Sequence, residues 1–308
     1  MSVVFLLAVF GISAGSLLLP DKEFSENENR YLAEIPQLSV DNIFNAKFQN
    51  GLEEYLKDQL CFRDEWISLK TVFQRAMGKT DIGGAYLGKD GYAFEKITKE
   101  DIDEELLQKN ISYVEDYFAY CSDNIDASHL NFLLVPTSGL VLSDKLPEHA
   151  PLFDQNRYIE EVKAAMKAYT FIDVRESLLE HNEEEIYYRT DHHWTSDGAF
   201  VAYGQWCKSQ GLPTPKIEDY KVEMVTDSFR GTLYSKILNA DSAYDSIKKY
   251  EKTERPGQFH VVADGKELEG LYDYGKLEEK DKYLFFFGGN YGEVVITNSN
   301  PKETGKNL

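Results

Sequence analysis

Positions 3–19 are apolar and uncharged, and the run stops at Pro20-Asp21. Its length approaches the ~20 residues that span hydrocarbon and exceeds the ~7–15 of a signal-peptide core. Residues 1–20 are therefore expected to be a signal anchor or signal peptide, and the lack of a polar face argues against a core helix. Positions 21–39 turn polar, with Glu26-Asn27-Glu28-Asn29-Arg30 and then Ile35-Pro36, and read as a tether. Over 40–77, Phe44, Phe48, Leu52, Tyr55 and Leu56, then Trp66, Leu69 and Phe73, recur at helical spacing. Residues 21–85 thus read as a tether plus a helical segment. Positions 86–92 predict a hairpin turning at Asp90-Gly91, the entry to a main domain over 86–308.

Within that domain the hydrophobic period switches repeatedly. A helix over 102–121, a continuous apolar strand over 130–136, a helix over 156–168, a strand at 171–174 and a helix over 176–184 follow in order. Alternation at this spacing indicates an α/β domain with a mainly parallel sheet flanked by helices. The segment 198–210 carries Ala199, Ala202 and Trp206 on one helical face. Thr195, Ser196 and Asp197 before it can each cap the first turn, and Gly211-Leu212-Pro213 stop it. Afterwards the pattern turns to β. Stretches 220–225, 231–234, 259–263 and 268–274 read as strands of an inserted lobe, whose tyrosines either stack on sugar rings or simply pack. The apolar run 283–287 reads as a buried strand entering Gly288-Gly289-Asn290. Amides at Gly289 and the Asn290 side chain suit an oxyanion hole, or the turn merely closes a hairpin into 293–297.

The densest chemistry is Asp191-His192-His193-Trp194, placed by the capping residues on a tight loop at a helix N-terminus. Three readings compete. The carboxylate orients an imidazole that activates a nucleophile from elsewhere, or the cluster binds a metal, or the loop only packs and hydrogen-bonds. Adjacent histidines are expected to diverge, and no Cys pair or His-x-x-x-His accompanies them, so neither a metal nor a cofactor is expected. A second site wall is expected at Pro136, Thr137 and Ser138, at the end of an apolar strand where open α/β sheets place ligands. Ser138 as a nucleophile lacks the Gly-x-Ser-x-Gly elbow.

Composition narrows the partners. The 308 residues, 42% of them hydrophobic, can bury a substantial core. The formal net charge of −20 argues against nucleic acid or an anionic membrane surface as a partner. Cys61, Cys121 and Cys207 are far apart and give no disulfide framework.

Thr190 to Thr195, followed by Gly198-Ala199, resembles the signature of the DHHW family, which is related to the alginate O-acetyltransferases of the SGNH-hydrolase-like group. The resemblance implies an SGNH-hydrolase-like fold in which Asp191 and His193 form a triad with a serine on a separate strand turn, Trp194 matching the family's Trp. His192 has no catalytic counterpart in the alginate enzymes, which carry Asp-Thr-His-Trp. The implied function is O-acetyl transfer onto an exported or cell-surface polysaccharide, outside the cytoplasm, beside a multi-pass membrane acyltransferase. An acetylesterase, or a non-catalytic membrane-tethered glycan-binding protein, is the alternative. The segment from Tyr55 through Asp58 to Arg63 resembles a Tyr-x-x-Asp…Arg pattern preceding the catalytic domain in these families; from its residues alone it reads as a solvated helix-turn. The Pro136 loop resembles a Pro-Thr/Ser loop of the acetyltransferases. In DHHW proteins an apolar strand and an Asp-Ser turn bearing the nucleophile follow a loop like 298–308. The chain as given is therefore expected to lack the C-terminal part of the fold and to be inactive or severely impaired, with Ser138 and Ser299 as poor substitutes.

Overall fold

The computed structural model describes residues 2–25, 27, 28, 30–239, 241–254 and 258–299; the tail 300–308, where the sequence pattern breaks off, lies outside them. The chain divides into two compact units, Met1–Gly83 with Tyr234–Asp241, and Gly84–Leu233 with Ser242–Leu308.

The first unit opens with helix α1 (Ser2–Leu18), a hairpin of β1 (Phe24–Ser25) and β2 (Arg30–Tyr31), helices α2 (Val40–Phe44), α3 (Lys47–Asp58) and α4 (Arg63–Ala76), and strand β3 (Asp81–Ile82). The apolar run is helical as its composition demands. It stops at Leu18, however, and 17 residues at ~1.5 Å each fall short of a ~30 Å hydrocarbon layer. No helix among the described residues is long and apolar enough to cross a membrane. The helical stretch after it is broken where Ala46 and Phe62 adopt left-handed conformations.

Two expectations fail in this unit. The supposed tether folds into the β1–β2 hairpin, and the supposed solvated turn at Asp58 is buried. Asp58 accepts both guanidinium nitrogens of Arg30, at 2.8 and 2.6 Å, and the Ala33 amide at 2.9 Å, while Arg63 reaches Glu28 at 2.6 Å. Arg30 holds the Asp58 carboxyl below the usual carboxylate range. A carboxylate tolerates burial here because a two-pronged guanidinium and a backbone amide meet its oxygens.

The second unit runs β4 (Ala85–Leu87), β5 (Ala93–Glu95), α5 (Glu104–Ser122), β6 (Asn131–Leu133), α6 (Ser138–Val141), α7 (Gln155–Ala165), β7 (Thr170–Ile172), α8 (Arg175–Glu180), α9 (Ser196–Ser209), β8 (Tyr220–Phe229), α10 (Thr232–Ile237), β9 (Asp245–Lys252), β10 (Phe259–Ala263), β11 (Lys266–Leu268) and β12 (Val294–Asn298); α10 begins in this unit and ends in the first. Asp90 and Gly91 take positive φ where the hairpin between β4 and β5 turns. Strands β6 and β7 pair in parallel across a helical crossover, and they are the single parallel pair among the described strands. The expected mainly parallel sheet is thus reduced to this pair. Strands β8 and β9 form a bulged antiparallel ribbon, and β11-β10-β12 an antiparallel sheet, which give the later region its β character. Two expected strands are not strands. Positions 232–234 begin helix α10, and 283–285 lie in a 3-10 turn, Lys282–Phe285, with a lone antiparallel bridge from Phe286 to Tyr272 beside it.

The core joins Tyr86, Tyr92 and Phe94 of the hairpin to Val141, Leu142, Ile172, Leu178, Ile186, Tyr187 and Ala202, with Trp194 and Trp206 packed against it. Among the tyrosines of the later region, Tyr220 and Tyr250 pack on Phe200, and Tyr272 on Phe285. Leu142 is fully buried. Leu142→Ala is expected to cost about 2–5 kcal/mol, read as a lower urea midpoint at unchanged m.

Candidate active site

The motif sits on the tip of a narrow turn. Tyr187 bridges Trp194 in antiparallel fashion, the Tyr188 amide donates to the His193 carbonyl at 3.2 Å, and the Thr195 amide to Ile186 at 2.9 Å. The Ala93 amide of β5 donates to the Arg189 carbonyl at 2.8 Å, which hangs the turn on the hairpin. Of the three candidate caps, Thr195 does the work: its hydroxyl accepts from the Gly198 amide at 3.2 Å, and Ser196 and Asp197 enter α9. Asp197 instead accepts from Lys248 at 2.7 Å and from the Tyr250 hydroxyl.

Asp191 is fully buried. Its Oδ1 accepts from His193 Nδ1 at 2.5 Å, from the His193 amide at 2.9 Å and from the Tyr283 hydroxyl at 3.0 Å. Its Oδ2 accepts from the Thr232 amide at 2.7 Å and the Thr232 hydroxyl at 3.0 Å. Burial alone would raise this carboxyl. The His193 ring and the Thr232 and His193 amides outweigh it and hold the group well below the usual range. His193 moves the opposite way: its hydrogen bond to Asp191 raises the imidazole above its ordinary value, against the lowering effect of burial, and the charges of Asp191 and Glu95 add to the rise. Tyr283 is pushed far up by burial and by the Asp191 charge, so it remains a protonated donor.

A second carboxylate braces the turn from beneath. Asp245 accepts from the Arg189 and Thr190 amides at 2.8 and 2.9 Å and from the Thr190 hydroxyl at 2.6 Å. The segment starting α10 clamps the other side, with the Gly231 amide on the Thr190 hydroxyl at 3.1 Å and the Leu233 amide on the Thr190 carbonyl at 3.0 Å. A Cβ added to Gly231 would lie 2.3 Å from the Asp191 side chain, so this approach requires glycine.

The two imidazoles do not diverge. Their centroids stand 4.0 Å apart at 35°, because His192 Nδ1 lies 2.9 Å from the same Thr232 hydroxyl that serves Asp191. Donor atoms of Asp191, His192 and His193 fall within 4.8 Å of one another, a set that could hold a metal ion. Two ligands on a tetrahedral zinc stand roughly 3.3 Å apart. The 2.5 Å between His193 Nδ1 and Asp191 Oδ1 is a hydrogen-bond separation, which suits a shared proton better than two ligands of one ion.

The expected walls divide. The Pro136 carbonyl accepts from the buried Tyr187 hydroxyl at 2.6 Å, tying that loop to the residues just before the motif. Gln155 braces the loop from the other side, accepting the Thr137 amide at 3.0 Å and donating to the Thr137 hydroxyl at 2.6 Å. Ser138 is buried at the start of α6. Among the described residues no serine, threonine or cysteine is hydrogen-bonded to the His193 ring. Nor does any described hydrogen bond join Gly289 or Asn290 to Asp191, His192 or His193, and the Phe287 amide leading into their turn is already spent on Leu271. The expected oxyanion turn is therefore not joined to the motif; it is Tyr283, at the start of that stretch, that reaches it. Sequence reasoning missed Thr232, Gly231, Tyr283 and Asp245. The one local signal was Gly231-Thr232, a glycine and a small hydroxyl residue opening a short helix.

Two measurements check this network. Tyr283→Phe removes one donor from the buried Asp191 carboxylate and is expected to cost about 1.5–3 kcal/mol in chemical denaturation. His193 is raised on folding, so its stabilisation is complete below about pH 6.5 and fades as pH rises through the raised value. Tm is therefore expected to fall between pH 6 and 9 by more in the parent than in His193→Gln.

The family described as SGNH hydrolase-like domain, acetyltransferase AlgX, matches residues 87–255, more than half of the chain. A DHHW family protein from Eubacterium siraeum shares the fold at a TM-score of 0.58 and 21% identity, over 71% of this chain and 73% of that one. PatB1 from Bacillus cereus is similar at a TM-score of 0.56 and 21% identity, over 69% of this chain and 75% of its own. No curated protein matches. The matched residues run from the hairpin through the Asp191 turn to β9, and the chain belongs to the SGNH hydrolase-like acetyltransferase AlgX family.

Proposed function

We propose that this protein is an extracytoplasmic O-acetyltransferase acting on a cell-surface or exported polysaccharide, with His193 as its base and Asp191 as the carboxylate behind it. The observation that carries this reading is the 2.5 Å contact from a half-exposed imidazole to a fully buried carboxylate. Because Asp191 occupies Nδ1, the opposite nitrogen, Nε2, is left to take a proton from a hydroxyl nucleophile. The nearby charge favours the imidazolium that results, and burial of Asp191 keeps water from weakening that effect. The nucleophile's oxygen bonds the acetyl carbon as the donor's carrier oxygen leaves with the proton from His193; a sugar hydroxyl then gives its proton to His193 and takes the acetyl group as the nucleophile's oxygen departs and regains that proton. Membership of an acetyltransferase family supports the acyl chemistry. The uncharged, solvent-facing α1 supports an export signal or an anchor at the N-terminus. A multi-pass membrane acyltransferase is the partner that would supply acetyl groups from the other side.

The test is an assay of the full-length gene product on a chromogenic acetate ester, with and without an acceptor glycan. His193→Ala is expected to lower kcat/KM by about 10²–10⁴-fold. In the parent, kcat/KM is expected to rise with pH through a midpoint above about 6.5, since the base works deprotonated. Free acetate as the only product, even with glycan present, would make the protein an esterase. Glycan binding with no ester cleavage would make it a binding protein, and cleavage indifferent to His193→Ala would remove the base assignment.

A further inference from the structure

The second histidine is wired too specifically to be a bystander. Thr232 has one hydroxyl hydrogen, and Asp191 Oδ2, 3.0 Å away, can only accept, so that hydrogen goes to the carboxylate. The hydroxyl oxygen must then accept from His192 Nδ1 at 2.9 Å, which fixes the ring hydrogen of neutral His192 on Nδ1. His193 is fixed the same way by Asp191. Both neutral rings therefore carry their lone pairs on Nε2. Each ring is held through Nδ1, which leaves Nε2 as the nitrogen free to meet a ligand, on side chains 41% and 53% exposed. One buried carboxylate thus presents two acceptors on neighbouring rings 4.0 Å apart. Hydroxyls on adjacent carbons are spaced roughly 3 Å apart, about one hydrogen-bond length, which lets a vicinal diol offer one hydroxyl to each of two adjacent rings.

We propose that the paired histidines select an acceptor bearing two neighbouring hydroxyls, His193 taking the proton of the attacking one and His192 Nε2 accepting a hydrogen bond from the other. This rests on His193 being the base. In the transfer step the attacking oxygen forms a bond to the acetyl carbon as the bond from that carbon to its carrier oxygen breaks. The proton passes from the attacking hydroxyl to His193 Nε2 and on to the departing carrier oxygen. His192 exchanges nothing; it orients the diol, and Thr232 is a positioning residue behind it.

The experiment uses the full-length gene product with a chromogenic acetate ester as donor and either trans-1,2-cyclohexanediol or cyclohexanol as acceptor, scoring acetylated product. The diol is expected to be acetylated about tenfold faster per hydroxyl, the rate equivalent of one hydrogen bond. His192→Asn keeps an N–H for Thr232 but has nothing at the distal position, and it should abolish the preference. His192→Gln, with a carbonyl oxygen further out, should restore part of it. A parent without preference, or a preference that survives His192→Asn, overturns the proposal. Acetylation unaffected by His193→Ala instead overturns the base reading beneath it. Titrating the diol while following the His192 Hε1 proton by NMR needs no turnover: a shift with the diol and none with cyclohexanol is expected, and equal responses count against the diol clamp.

Discussion

A carboxylate with no exposure to water has to find its hydrogen bonds inside the protein, and at Asp191 this requirement draws three distant stretches of chain to one point. The His193 ring and amide, the Thr232 amide and hydroxyl, and the Tyr283 hydroxyl converge on its two oxygens. Leaving any of them unmade strands part of a buried charge, a penalty larger than the modest gain of making an ordinary exposed contact. The narrow turn, the start of α10 and the 3-10 turn at Tyr283 can therefore be understood as one device. The aromatic set of Tyr188, Phe229 and Tyr283, with centroids 4.9–6.0 Å apart, keeps water from its underside.

Two buried carboxylates lie on this device and respond to burial in opposite directions. Asp245 is raised because burial outweighs its neutral amide and hydroxyl donors and the Arg189 charge. Asp191 is lowered because imidazoles face it. The contrast separates a structural carboxylate, which shapes the turn, from one whose negative charge is available to a neighbouring proton carrier.

What could be read in the sequence was what is local. The capping residues before α9, the Asp90-Gly91 turn, and the spacing of Asp191 and His193 were all legible because their partners lie within a few residues. The rest was closed by partners far along the chain. Thr232 comes 41 positions after Asp191 and Tyr283 comes 92, separations at which no periodicity carries information. Positions 231–234 look like strand by composition, yet the Gly231 and Thr232 amides are consumed by Thr190 and Asp191, and the chain goes on as a helix. The run 283–287 is aromatic enough for a buried strand, but its single hydroxyl, on Tyr283, is claimed by a carboxylate, and Phe287 takes a positive φ. The expected splay of adjacent histidines failed similarly, because a hydroxyl from another segment reached His192.

Gly231 carries this logic back into the sequence. Its α-carbon stands so close to Asp191 that any larger residue would occupy the space the carboxylate fills. Positions 191 and 231 are thus bound in one steric bargain, and in this chain the Asp-His-His-Trp turn is completed by Gly-Thr forty residues on. A chain that kept Asp-His-His-Trp but carried a bulky residue at the second position would preserve the letters and lose the device.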